Sequence, residues 1–310
     1  MRRDRLGYLA LLALFLAAPF VAYPVLVMKV LCYALFACAF NLLLGYTGLL
    51  SFGHAAFFGT AAYVAGYVLR DWGWPTEAGL LAGMASALLL GWLFGALAIR
   101  RQGIYFAMVT LALAQMMYFF FIQAPFTGGE DGLQGVPRGT LLGSVSLEND
   151  LTLYYVVLAI CAAAFWLIHR TIHSPFGQVL KAIRENEARA VSLGYDVARY
   201  KLLAFVLSAG LAGLAGALKT LVLNFASLTD AHWHASGEVV LMTLVGGMGT
   251  VLGPVVGAGV IVVLENELAD KVGSLVTVIM GAIFVACVLL FRRGVVGEWV
   301  AWRGKRRTRS

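Results

Sequence analysis

Long apolar stretches separated by short polar intervals run through most of the sequence. A helix that crosses the hydrocarbon layer of a bilayer needs roughly 20 predominantly apolar residues, and most of the stretches approach that length. They occupy residues 6–22, 24–44, 54–69, 78–99, 104–123, 151–168, 202–223, 239–264 and 274–291. The pattern predicts an all-α fold, a polytopic transmembrane helical bundle with about 8–10 membrane segments, some of them broken or re-entrant.

Composition excludes a soluble protein. Hydrophobic residues make up 61% of the chain and charged residues 13%, with a mean hydropathy of +0.85, whereas soluble domains are roughly 45–50% apolar and about 25% charged. No composition shift divides the sequence. We therefore interpret residues 1–310 as a single transmembrane domain.

The formal net charge of +7 does not indicate nucleic-acid binding, because the basic residues lie at the ends and connections of the apolar stretches. Lys and Arg accumulate on the cytoplasmic side of membrane proteins. The rule predicts that Met1 and Ser310 are both cytoplasmic. It also predicts that the basic tail 292–310 contacts anionic lipid headgroups. The first apolar stretch resembles a signal peptide, but no clear small-x-small cleavage site precedes Tyr23, so we expect a retained helix.

Two connections are long enough to carry structure of their own. Residues 124–150 are rich in Gly, Thr and Asp and are predicted to form an extracytoplasmic loop. Residues 170–200 form the longest basic connection and are predicted to be cytoplasmic.

Counting crossings indicates an interruption in the stretch 239–264. If it crossed once, Arg292 would lie outside, against the positive-inside rule. Gly weakens a helix and Pro removes a donor, so a break within it restores the orientation of the tail. The predicted break residues are Gly246, Gly247, Gly249, Gly253 and Pro254. Since exposed backbone is tolerated in membranes only beside protein or a watery cavity, this break, and a second candidate at 41–54, indicate a permeation pathway.

The cytoplasmic connection contains a series of helix-capping signals. Ser174 before a proline can begin one helix, and Asn186 can cap a second with Glu187 at its positive end. Gly194 suits a left-handed closing position, and Asp196 can cap the next membrane helix. The signals predict a short, stiff helix that docks on a partner, against the alternative of a solvated linker.

Motifs for nucleotide, metal or covalent chemistry are incomplete. Residues 213–220 nearly form a phosphate-binding loop, but Leu218 replaces its second glycine and the segment is helical in pattern. His232 and His234 have no third ligand nearby in sequence, so a polar interfacial turn is favoured over a metal site. The four cysteines are interpreted as apolar fillers. We expect no metal, no cofactor and no enzymatic activity of the chain itself.

Four segments together resemble a known family. Residues 41–63, 127–137, 182–218 and 244–254 are similar, in order and over nearly the whole chain, to LivM-type permeases of branched-chain amino acid ABC importers. The resemblance implies a heterodimer with a LivH-type permease, two cytoplasmic ATP-binding subunits, a periplasmic solute-binding protein and a bacterial inner-membrane location. ATP would be bound by the partners.

The resemblance also assigns roles to residues. It implies that an ATPase-coupling segment lies around Glu187 and moves the membrane helices; its members here are Arg184, Glu185, Asn186, Glu187, Ala188, Ala190 and Gly194. Our candidates for lining the pathway of a zwitterionic, apolar substrate are Asn41, Tyr46, Thr47, Ser51, His54, Gln115 and Glu238. For each of these, hydrogen bonding between helices is an equally open interpretation.

A secondary transporter or channel working without ATPases is the alternative function. Such proteins usually keep an ionisable residue inside the membrane. Lys29, Lys219 and Glu265 are the candidates, and each is predicted to reach towards an interface instead. The solute itself is not identified by the sequence.

Overall fold

A computed structural model describes residues 2–141, 143, 145–290, 294 and 297 of the chain. The described part is built mainly of helices, which confirms the all-α polytopic prediction. The helices are α1 Arg2–Ala17, α2 Pro24–Thr47, α3 His54–Arg70, α4 Thr76–Ala98, α5 Ile104–Gln123, α6 Asp150–His173, α7 Pro175–Glu185, α8 Glu187–Ser192, α9 Val197–Leu223, α10 Trp233–Gly246, α11 Gly253–Val272 and α12 Val276–Leu290. The strands are β1 Leu133–Gln134, β2 Thr140–Leu141, β3 Val145–Ser146 and β4 Phe225–Ala226.

Five of the described helices, α2, α4, α5, α6 and α9, are long and apolar enough to cross a membrane. Helices α2 and α9 are largely buried, whereas α4, α5 and α6 present apolar side chains on the outside. Helix α3 is also largely buried, so α2, α3 and α9 form the centre of the bundle and the other three helices lie around it.

Small residues bring α4 and α9 close together. A Cβ atom built on Gly91 would lie 2.5 Å from the Cβ of Ala209, and one built on Gly83 would lie 3.1 Å from the Cβ of Ala217. These small residues therefore form a packing seam in which the two backbones approach closely.

One end of the bundle carries residues 124–150, which we call the cap. Strand β1 of the cap pairs antiparallel with β4, directly after α9. Arg138 of the cap donates to Asn224 Oδ1 at 3.2 Å and to the Val222 carbonyl at 3.2 Å, and its Nη1 lies 2.6 Å from Asp150 Oδ1. The cap is thereby fastened to the end of α9 and the start of α6.

The opposite end carries residues 174–196, which we call the connector. The two segments predicted as breaks are turns at this end, one between α2 and α3 and one between α10 and α11. Helix α10 has 14 residues, about 21 Å at 1.5 Å per residue and shorter than the hydrocarbon layer of about 30 Å. The turn 247–252 separates α10 from α11, so the predicted separation of the stretch 239–264 into two segments is confirmed.

Both ends of the described chain lie at the connector end. A Cβ atom built on Gly7 would lie 3.6 Å from Leu252 Cδ1, and Gly294 packs against Gly247. Met1 and residues 298–310, with most of the predicted basic tail, lie outside the described residues. The first apolar stretch is less regular than expected: α1 ends at Ala17 and a 3₁₀ turn, Ala18–Phe20, follows. Pro19 explains this, because proline cannot continue the α-helical hydrogen bonds.

Candidate coupling site and pathway residues

The predicted caps of the connector are all present. The side chain of Ser174 accepts the Gly177 N–H at 3.3 Å, and that of Asn186 accepts the Arg189 N–H at 3.0 Å. Asp196 accepts the Arg199 N–H at 3.1 Å. Gly194 has φ +87°, the left-handed conformation expected after a helix end. The connector is thus two capped helices rather than a solvated linker.

A small apolar core holds the connector helices together. Ile183 of α7, Ala190 of α8 and Val197 of α9 are buried against one another. Val179 and Tyr200 pack around them. The sequence led us to expect that Ala190 contacts a partner, but its side chain packs inside its own chain. The core makes α7, α8 and the start of α9 one unit.

Glu187 is bound on two sides by its own chain. Its Oε1 atom lies 2.8 Å from the Nζ of Lys201 and accepts from Gln102 Nε2 at 3.2 Å. The Lys201 side chain is only 6% exposed, so this carboxylate neutralises a nearly buried ammonium. Neither partner of Glu187 was identified from the sequence.

Other coupling candidates lie on the surface of the connector. Arg184, Glu185, Asn186 and Ala188 are exposed. Beside them is an apolar surface that sequence reasoning missed: Val191 is 58%, Leu193 69% and Tyr195 40% exposed. We call these three residues the docking face. They follow the predicted coupling residues directly, but Leu193 and Tyr195 lie beyond the end of α8, so helical periodicity did not indicate this surface.

The pathway candidates at the α2–α3 turn are buried and hydrogen-bonded. Asn41 Nδ2 donates to the Thr250 carbonyl at 2.8 Å, and Asn41 Oδ1 accepts the Gly249 N–H at 2.9 Å. Thr47 Oγ1 donates to the Leu43 carbonyl. Ser51 Oγ accepts the Gly53 N–H at 3.1 Å, and Tyr46 lies with its ring centroid 5.7 Å from Lys181 Nζ.

His54 joins three helices. Its Nε2 atom lies 2.8 Å from Ser208 Oγ of α9, and Ser208 donates to the Ala39 carbonyl of α2 at 2.5 Å. The edges and faces of Phe40, Phe57 and Phe205 surround the ring. His54 therefore makes the helix-to-helix hydrogen bond that the sequence left open, and whether it also contacts substrate stays a prediction.

Gln115 and Glu238 lie apart from this cluster. Gln115 is half-buried on α5, and Glu238 Oε1 is 3.5 Å from His234 Nδ1, one turn before it on α10. His232 caps that helix by accepting the His234 N–H at 3.4 Å. Burial lowers the pKa of His232, and His234 lowers it further, so the imidazole is neutral and able to accept.

Lys219 lies near the cap end of α9, and its ammonium group is paired there. Its Nζ atom pairs with Asp230 Oδ1, and the two side chains are 7% and 4% exposed. Asp230 also accepts the Ser227 N–H at 3.3 Å as part of a capping box. Burying an isolated ammonium is costly, so Lys219 is held by this carboxylate at the cap end of α9.

The predicted break residues form the turn between α10 and α11. Helix α10 ends at Gly246 and α11 begins at Gly253 with Pro254 in its first turn. Gly247 and Gly249 have φ of +122° and +77°, a backbone conformation that residues with a side chain rarely adopt. Thr250 Oγ1 donates to the Gly247 carbonyl at 2.7 Å and accepts the Gly253 N–H at 3.0 Å.

A multi-pass helical bundle with a capped, self-contained connector at one end is the architecture of a polytopic membrane protein. Comparison with known proteins gives the family. The model for the branched-chain amino acid transport system permease component matches residues 25–288. The chain belongs to this family of transport permeases, which act as membrane subunits of multi-subunit ABC transporters and are not enzymes in themselves.

Curated relatives agree with this assignment. The chain is 28% identical to the high-affinity branched-chain amino acid transport system permease protein LivM of Escherichia coli, over 95% of this chain and 75% of that protein. It is 31% identical to the ribose import permease protein RbsC of Bacillus subtilis over 58% of each chain. It is 28% identical to a probable LivH permease of Methanocaldococcus jannaschii over 50% of each. No solved structure matches.

Proposed function

We propose that this chain carries branched-chain or related hydrophobic amino acids across the bacterial inner membrane as one half of a permease heterodimer. A LivH-type permease is the other half. Two cytoplasmic ATPases bind and hydrolyse ATP, and a periplasmic protein delivers the solute. The similarity to LivM over nearly the whole chain supports the substrate class.

The docking face is the observation that carries the ATPase partnership. The connector has its own apolar core, yet it also exposes three large side chains on its surface, Val191, Leu193 and Tyr195. Exposed apolar surface of this kind marks an interaction site. Because the connector is at the end where positive charge predicts cytoplasm, the partner that meets it there is the ATPase.

The cap is the surface that we propose for the solute-binding protein. It lies at the end opposite the connector, and Arg138 fastens it to α9 and α6. A delivered amino acid then moves through a largely apolar interior towards the α2–α3 turn. The pathway needs an apolar wall for the side chain of the solute, and a few polar groups or helix ends for its ammonium and carboxylate.

The docking proposal is tested with Val191→Asp in the complete transporter. A charge in the centre of an apolar contact is left unpaired on binding, which costs several kcal/mol, of the order of 3–5. We expect the ATPases to be lost in pull-downs and uptake of branched-chain amino acids to stop.

Val145→Asp is the matched control, because Val145 is an exposed valine of the cap at the other end. It should retain the ATPases. If the Val191→Asp permease pair binds its ATPases and transports normally, the docking proposal is refuted. Uptake that persists in vesicles without any ATPase would instead identify a secondary transporter.

A further inference from the structure

Helix α7 directs two cations at the carbonyl end of α2. Lys181 Nζ lies 5.7 Å from the centroid of the Tyr46 ring, and Arg184 Nη1 donates to the Gly45 carbonyl. The last carbonyls of a helix have no partner within the helix and carry partial negative charge. Arg184, on the connector, therefore completes the end of a membrane helix.

The same arginine lies against both turns. A Cβ built on Gly48, in the α2–α3 turn, would lie 3.3 Å from Arg184 Cγ. A Cβ built on Gly249, in the α10–α11 turn, would lie 3.2 Å from Arg184 Nη1. Both glycines also have positive φ, +76° and +77°. The absence of side chains at these two positions lets one guanidinium reach both turns.

Asn41 ties the two turns to each other. Its amide bonds the Gly249 N–H at 2.9 Å and the Thr250 carbonyl at 2.8 Å, from one turn of helix before Gly45. A Cβ on Gly45 would lie 2.9 Å from Gly249 N, so α2 and the α10–α11 turn are in close contact. We call Asn41, Gly45, Gly48, Arg184, Gly249 and Thr250 the Arg184 junction.

On the other side, Arg184 is rigidly joined to the docking face. Asn186 ends α7 and caps α8, and Ile183 packs against Ala190 across that cap. Helices α7 and α8 are therefore joined by packed side chains as well as by the chain itself.

We propose that Arg184 is the positioning residue that transmits movement of the connector to the α2–α3 and α10–α11 turns. This inference rests on the proposed function, since it takes the docking face to be where the ATPases act. Movement of the guanidinium would shift the end of α2 and the α10–α11 turn at the same time. The paired opening of these turns would then control the cytoplasmic end of the pathway.

The test uses the complete transporter in proteoliposomes with Arg184→Gln, Arg184→Lys and the control Arg170→Gln. Arg170 is an exposed arginine of the last turn of α6, outside the connector. For Arg184→Gln we expect bound ATPases, ATP hydrolysis as in wild type, and about tenfold less amino acid moved per ATP, within the usual range of coupling energies. Arg184→Lys should restore part of the amount of amino acid moved per ATP, and the control Arg170→Gln should keep the wild-type amount.

A second readout is the distance between spin labels at Leu50→Cys and Met248→Cys, one in each turn. In the wild-type complex ATP should change this distance, and in Arg184→Gln it should not. A normal ratio of uptake to hydrolysis in Arg184→Gln, or loss of the ATPases from it, would overturn the inference. Failure of the proposed function is a separate result, because it appears as unchanged ATPase binding in Val191→Asp.

Discussion

The Oε1 atom of Glu187 lies 2.8 Å from the Nζ atom of Lys201, joining α8 to the first turn of α9. Lys201 is nearly buried and Glu187 is partly exposed. The pair therefore holds the short helix α8 at a fixed position on the long helix α9. A residue chosen from the sequence as a contact for the ATPase thus has a second role in orienting the surface that makes that contact.

Reversal of Glu187 should uncouple transport while the membrane helices stay folded. In Glu187→Lys two ammonium groups face each other beside a nearly buried site, and a cation also replaces the anion at the start of α8, which is unfavourable. We expect weaker ATPase association and reduced uptake, measured by pull-down and transport. Glu148→Lys, a reversal at an exposed glutamate of the cap, is the control. The exchange Glu187→Lys with Lys201→Glu should recover association, and failure to do so would count against the orienting role.

Ala190→Asp should loosen the connector from within. Ala190 packs against Ile183 and Val197, and an unpaired buried charge costs roughly 3–5 kcal/mol. We expect faster proteolysis of residues 186–195 and loss of the ATPases, with thermal stability of the membrane bundle near that of wild type. Ala188→Asp, on the exposed side of α8, is the control for added charge in the proteolysis measurement. Equal proteolysis of the two variants would contradict the packing of Ala190.

Removing one member of the Lys219–Asp230 pair should be more harmful than removing both. Lys219→Met leaves a buried carboxylate without its cation, a loss of about 3–5 kcal/mol, whereas apolar replacement of both partners is often close to neutral. The melting temperature of the purified permease pair should fall in Lys219→Met and recover in Lys219→Met with Asp230→Leu. If the double variant is stable but cannot transport, the pair has a role in transport beyond stability.

Both termini should be cytoplasmic. Gly7 and Gly294 lie at the connector end, and basic residues cluster at the beginning of the sequence and in its tail, as the positive-inside rule requires for a cytoplasmic side. A cysteine introduced in the tail should react with an impermeant reagent only after permeabilisation. Ser146→Cys, on the exposed surface of the cap, should react in intact cells. The reverse pattern would overturn the orientation.

The chain alone should not hydrolyse ATP. Residues 213–220 lie within α9, where the backbone N–H groups are used by the helix and cannot bind phosphate. Purified in lipid without partners, the permease should show no nucleotide turnover above a blank. If the isolated subunit still hydrolyses ATP after every ATPase has been removed, the prediction is refuted.

The local features of the connector could be read from the sequence. Each cap hydrogen bond joins residues three positions apart, as from Arg189 to Asn186, so residue type and spacing are enough to predict it. The same holds for Gly194, whose left-handed conformation follows from its place after a helix end. The length and apolar character of the stretches likewise determined the membrane bundle.

Only the tertiary structure decided which distant residues meet. Asn41 and Gly249 are separated by 208 positions, and Arg184 and Gly45 by 139; no sequence period joins such pairs. Lys219 and Asp230 are close in sequence, yet their pairing depends on the turn after α9 folding back on it. The sequence determined where helices form because local hydrogen bonds and apolar length control that. Packing of helices across the bundle decided which polar groups share a buried space, because each buried donor and charge needs a partner whatever its position in the chain.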